Sequence, residues 1–384
     1  MRRFISLAIV LLLFCGAVFS QPAPELPHID PLAVDQYSFV NYDTNYIVGP
    51  GNIALLSHFF SRLDTLMFRG TGQVNIVHIG GSHIQTDVYT HRMRTSLQNF
   101  QPGLNGGRGL IFPVAMAGTN NPRNFTVSSS GNWQSCRNTQ RKRTCNLGLT
   151  GMMVATSDTF ATISISGRNA GDQYPASVIR VLYHDPAMLY RVNLATDDPY
   201  LINSIDDYRD LGYVEIRLNK TVEDFTLEFS RDAAGEPALL ELFGIEMLTD
   251  DPGIIYHSVG VNGASIPSFL RCNLLQEHLS LVNPDLVILS LGTNDAFSKN
   301  FVMKLMKTRA GSTGVTGLGQ ELLHLSFENT APLMRREITF VTSSSMADLS
   351  GRCSARASFL KREHCHIYYH YIHLKLLLFL CFIN

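Results

Sequence analysis

No surplus of charge marks this chain of 384 residues: 31 lysines and arginines stand against 32 aspartates and glutamates. Without a basic excess there is no electrostatic footprint for nucleic acid, so that class of partner is set aside. Long apolar runs are missing too. The run at 5–14 and the one close to the C-terminus, which holds Lys375, are each too short for a stable membrane span. Cysteine is sparse, and no spacing among the seven resembles a zinc site.

What is present begins with an address. Arg2 and Arg3 precede the apolar run, and small residues lead to Ser20, the pattern of a secretory signal over 1–20 with cleavage before Gln21. Cys15 would fit a lipoprotein, but Phe14 stands where such a site prefers a small residue. The expectation is an exported protein, periplasmic or secreted. Export permits disulfides. Cys136 and Cys145 bracket the polar loop CRNTQRKRTC and form the expected pair, whereas Cys272 reads as a buried thiol on a helix. The length suits about two domains.

The stretch at 74–85, VNIVHIGGSHIQ, organises the rest. Val74, Ile76 and Ile79 read as a strand, Gly80 and Gly81 break it, and a helical segment follows Ser82. A serine on such a strand-to-helix turn presents its hydroxyl at the sheet edge, beside helix N–H groups that lack partners. The same geometry serves a serine that merely caps the helix. From this stretch alone both readings stay open.

Helical periods appear at 52–67, 86–100 and 266–282, and apolar strands at 253–259 and 286–291. These two strands close on 260–265 and on Gly292, Thr293, Asn294 and Asp295. Strand alternating with helix predicts a doubly wound parallel α/β sheet, whose carboxyl ends bind ligands. From about 121 to 250 the texture changes. Short alternating runs at 160–165, 177–183, 212–218, 225–229 and 238–248, separated by turn residues, predict a β-sandwich inserted in the α/β domain.

The blocks HIGGSHIQ, VGVNGAS and LSLGTND, in that order, resemble the first three signature blocks of the SGNH, or GDSL-type, hydrolases. GGRGLIFP at 106–113 and the β-insertion resemble a bacterial branch that includes exported peptidoglycan O-acetylesterases with a carbohydrate-binding-like insertion. The resemblance covers about 75–300. It implies hydrolase parts at 21–120 and 251–301, with Ser82 as nucleophile. It also implies an oxyanion hole from the backbone N–H groups of Ser82 and Gly263 and the side chain of Asn294. No metal or other cofactor is implied, and the implied substrate is an acetylated glycan or peptidoglycan. The alternatives are a lipid esterase and a non-catalytic glycan-binding protein.

Two departures stand out. Gly81 replaces the family's aspartate, and no Asp-x-x-His follows Asn294 to supply the general base. His83 is expected to point away from the Ser82 hydroxyl, His78 and His257 to be core residues, His91 to lie on a helix face, and Asp295 to cap a helix. His364 and His366 have no aspartate at useful spacing. From 302 to 384 the α/β texture stops and Ser, Arg and Cys rise; a frame change near 301–307 is the expected cause, with a genuine divergent tail the alternative. As it stands, the chain is expected to have impaired turnover.

Overall fold

A computed structural model describes residues 56–168, 174–232, 238–296 and 340–342. Helix α1 (Ser57–Arg69) buries Phe59, Leu63 and Leu66 on one face and ends where the N–H of Gly70 bonds the Leu66 carbonyl at 2.9 Å. Strand β1 (Gln73–Gly80), the short helix α2 (Ser82–Gln85) and helix α3 (Tyr89–Gln98) follow. The helix read over 86–100 starts late, because Asp87 turns the chain at φ +49°.

The antiparallel strands come next: β2 (Gly107–Ile111), β3 (Phe125–Ser130), β4 (Gln134–Arg137), β5 (Met152–Thr156), β6 (Phe160–Gly167) and β7 (Ala176–His184). Then come β8 (Arg191–Leu194), β9 (Ile202–Tyr208), β10 (Tyr213–Val222), β11 (Phe225–Ser230) and β12 (Leu240–Leu248). The chain ends its described course with β13 (Gly253–Gly260), α4 (Ile266–Phe269), α5 (Leu275–Val282), β14 (Leu286–Ser290), α6 (Thr293–Ala296) and β15 (Phe340–Thr342).

The result is a mixed α/β fold. Strands β13, β1, β14 and β15 form a parallel sheet in that order. Val74 and Ile76 of β1 join Phe59, Leu63, Tyr89, Met93 and Leu97 of the helices in one apolar cluster. Val77 and Ile79, one pleat over, point to the opposite face and a second cluster. That second cluster continues without a break through both antiparallel sheets, from Val259 and Val287 to Ile163, Val181, Leu227 and Leu242. The larger antiparallel sheet runs β4-β5-β12-β7-β10-β9 with β2 on β12, and the smaller runs β3-β6-β11-β8.

Three details differ from the sequence reading. Antiparallel pairing starts before 121, since β2 already pairs with β12. The helix read over 266–282 is two helices, because the segment between them turns aside to bond another loop: Leu274 N–H donates to the Leu147 carbonyl at 3.0 Å, and Leu147 N–H to Asn273 Oδ1 at 2.9 Å. The region read as lacking α/β character supplies β15, parallel to β14. The rest of the tail, and the whole of 1–55, lie outside the described residues.

Cys136 and Cys145 are disulfide-bonded, and Cys272 is a buried free thiol. Burial pushes the Cys272 thiol up to about 12. Among the described residues no helix is long and apolar enough to cross a membrane.

Candidate active site

Register brings the three loops to one level. Gly80 at the end of β1 aligns with Gly260 of β13 on one side and Ser290 of β14 on the other. Ser82, Gly263 and Asn294 therefore all sit a few residues beyond the same edge of the sheet, the edge where parallel strands present ligands.

Ser82 is the first residue of α2, half-buried, and the Gly81 carbonyl accepts the N–H groups of Ile84 and Gln85 at 3.1 Å. At that position the Ser82 N–H has no acceptor within its helix. Gly263 turns at φ +79°, in the left-handed region that glycine enters at little cost. Val261 N–H donates to the Gly80 carbonyl at 3.2 Å and so ties this loop to the end of the strand that precedes Ser82.

The third loop grips the second. Asn294 Nδ2 donates to the Ala264 carbonyl at 2.8 Å, and the Asp295 carboxylate accepts the Ile266 N–H at 3.2 Å. Asp295 thus helps to cap α4. Asn294 also faces the turn that holds Ser82, because a Cβ built on Gly81 would lie 3.3 Å from its Nδ2. With one amide hydrogen on Ala264, the other is available to a ligand beside Ser82.

The parallel sheet, the level strand ends and the antiparallel sheets together decide the comparison. This chain has an esterase-like fold. It is similar to a solved structure described as "Peptidoglycan O-acetylesterase in action, 5 min", at 19% identity and a TM-score of 0.51, over 78% of this chain and 81% of that one. A second solved structure, a family two carbohydrate esterase from Cellvibrio japonicus, gives 9% identity and a TM-score of 0.16 over 61% of this chain and 86% of that one, a likeness that carries no argument. No protein-family model and no curated protein matches the chain.

The histidines around the site are occupied elsewhere. His78 is buried, with its ring nitrogens hydrogen-bonded to the Tyr256 hydroxyl at 2.6 Å and Ser290 Oγ at 2.7 Å. Burial and the neighbouring His83 push its pKa down to about 3. His83 is buried, stacks on Tyr89 and bonds the Ser290 backbone; burial lowers its pKa to about 4. His257 accepts the Leu110 N–H at 3.0 Å, and His91 meets the Tyr174 hydroxyl from α3. Among the described residues no histidine is hydrogen-bonded to the Ser82 hydroxyl, and no group of three or more His, Cys, Asp or Glu side chains could hold a metal ion. His364 and His366 lie outside the described residues.

Sequence reasoning missed two supports. Gln85 accepts the Asn262 N–H at 2.6 Å and donates to Thr119 Oγ1 at 3.0 Å and the Asn120 carbonyl at 2.9 Å, so it clamps the Gly263 loop to the Ser82 helix. Asp87, directly beyond α2, anchors that helix to the antiparallel sheet. Its carboxylate accepts from Arg94, from Arg108 Nη2 at 2.6 Å and from Asn124 Nδ2 at 2.7 Å. Burial works against this carboxylate, but Arg108 and Arg94 outweigh it and hold its pKa far below the usual range. Only the position of Gln85 inside HIGGSHIQ signalled it; nothing in the periodicity marked Asp87.

Proposed function

We propose that this chain is a serine ester hydrolase of the SGNH kind that removes acetyl groups from an exported or cell-wall glycan, with peptidoglycan the leading substrate. The Ser82 hydroxyl adds to the acetyl carbonyl, and the Ser82 and Gly263 N–H groups and the Asn294 amide receive the developing oxyanion. The sugar alkoxide leaves with a proton, and water then hydrolyses the acetyl-serine. Each such donor is typically worth about 3 kcal/mol in the transition state.

The observation that carries this reading is the position of Asn294 Nδ2, between the turn that holds Ser82 and the carbonyl that follows Gly263. The fold shared with a peptidoglycan O-acetylesterase supports the substrate class. The disulfide supports an oxidising compartment, and hence export over the signal at 1–20. The antiparallel region, 121–250 in the sequence reading, is the proposed glycan-holding part. The sequence has no Asp-x-x-His after Asn294 to supply the family's general base, so turnover is impaired in this reading; reversing the proposed frame change near 301–307 is the way to restore it.

A fluorophosphonate probe tests the nucleophile. Mass spectrometry should find a slow adduct on Ser82, absent in Ser82→Ala. That no histidine among the described residues bonds the Ser82 hydroxyl favours one rival, a non-catalytic glycan binder. Glycan binding with no adduct on Ser82 after prolonged exposure would move the function there.

A further inference from the structure

Beneath the nucleophile helix, where the parallel sheet meets the antiparallel one, lies a cavity of about 30 Å³. Gln85, Asp87, Arg108, Phe125 and Ser258 are among its lining residues; Ser82, Gly263 and Asn294 are not. Arg108 is 3% exposed, and its Nε and Nη1 are buried with no acceptor among the described residues. Buried guanidinium donors are seldom left without partners, and each one left so is costly.

The charges of the cluster that Arg108 belongs to do not cancel. Arg94 and Arg108 are both buried, and Asp87 is the carboxylate they share. Burial lowers the Arg108 pKa, and Arg94 pushes it the same way. The rings of Tyr174 and Phe125, centred 5.2 and 5.9 Å from the Arg108 guanidinium carbon, soften this charge but bring no negative one. Within this cluster two guanidiniums face one carboxylate, while the next buried carboxylate, Glu246, is engaged by Arg180; a buried charge left without a partner is strongly unfavourable.

Volume limits what can answer it. A water needs roughly 10–15 Å³ of such space, so this cavity has room for a species about the size of one or two waters. A water would satisfy donors but leave the charge. We propose that the cavity is a binding site for a small monovalent anion, with chloride the abundant example, held by the Arg108 donors that no described residue uses. The anion would complete the Asp87–Arg94–Arg108 cluster and brace the nucleophile helix from below.

The test compares the full chain in sodium chloride and in sodium gluconate at equal ionic strength, with equilibrium dialysis against radiolabelled chloride. The expected result is about one chloride per chain. The melting temperature should rise by roughly 3–6 °C once chloride reaches about ten times its Kd. Arg108→Gln should lose both effects. No bound chloride with equal melting in the two salts would overturn the proposal, and the cavity would then be a water site. A chloride effect that survives in Arg108→Gln would overturn it as well, by placing the ion elsewhere. If Arg108→Gln fails to fold, crystals of the wild-type chain grown in bromide decide. An anomalous peak within hydrogen-bond distance of Arg108 supports the site, and its absence refutes it.

Discussion

Asp87→Asn separates the charge of Asp87 from its shape. The residue sits at φ +49°, a conformation that asparagine adopts as readily as aspartate, so the backbone is unaffected. The side chain keeps its size. What goes is the negative charge that faces Arg94 Nη1 and Nη2, both at 3.1 Å, and Arg108 Nη2 at 2.6 Å. The variant leaves two guanidinium groups buried without a carboxylate, and breaking a buried ion pair from one side costs about 3–5 kcal/mol. Urea unfolding at pH 7 should show that loss, and melting should drop on the order of 10 °C. The pH dependence has a definite sign. Asp87 ordinarily titrates near 3.8 and is held lower in the fold. Its contribution is therefore complete above about pH 4 and fades as pH falls toward the lowered value. Asp87→Asn should lack this acid-side decline. A loss below about 1 kcal/mol at pH 7 would refute the view that Asp87 anchors the Ser82 helix.

Two further outcomes follow from burial and covalent structure. His78 and His257 are held near 3 and His278 near 4, each mainly by burial, so the unfolded chain takes up protons first as pH falls below about 6.5. Each should cost on the order of 2 kcal/mol by pH 5, before carboxylates titrate; a urea midpoint flat between pH 7 and 5 would contradict this. Reducing Cys136–Cys145, whose sequence separation is 9, should remove about 2.5 kcal/mol, and unchanged melting in reductant would show that the bridge adds no stability.

Sequence legibility followed periodicity. β6 was readable because its burial alternates along most of its length, and the central strands of the parallel sheet because both faces are buried. β9, INSIDDY, escaped notice: on the sheet edge its half-buried positions are Ile202, Ser204 and Asp206, so polarity does not track the pleat. β5 is buried at every residue and shows no alternation. For the site, ordered glycine-containing loops pointed to Ser82, Gly263 and Asn294, which lie at the ends of consecutive parallel strands. Their lacing was invisible. Gln85 bonding Asn262 and Asp295 capping α4 depend on contacts far apart in sequence, which no local pattern encodes.

Acetate release from O-acetylated peptidoglycan tests the central claim most directly, with wild type, Ser82→Ala and Asn294→Ala compared under one set of conditions. Wild type should release acetate slowly but above the buffer rate. Both variants should fall toward that rate, since loss of one oxyanion donor costs about 10²–10³-fold. Circular dichroism should find both variants folded. Release that is equal in all three proteins would contradict an ester-cleaving site built on Ser82 and Asn294.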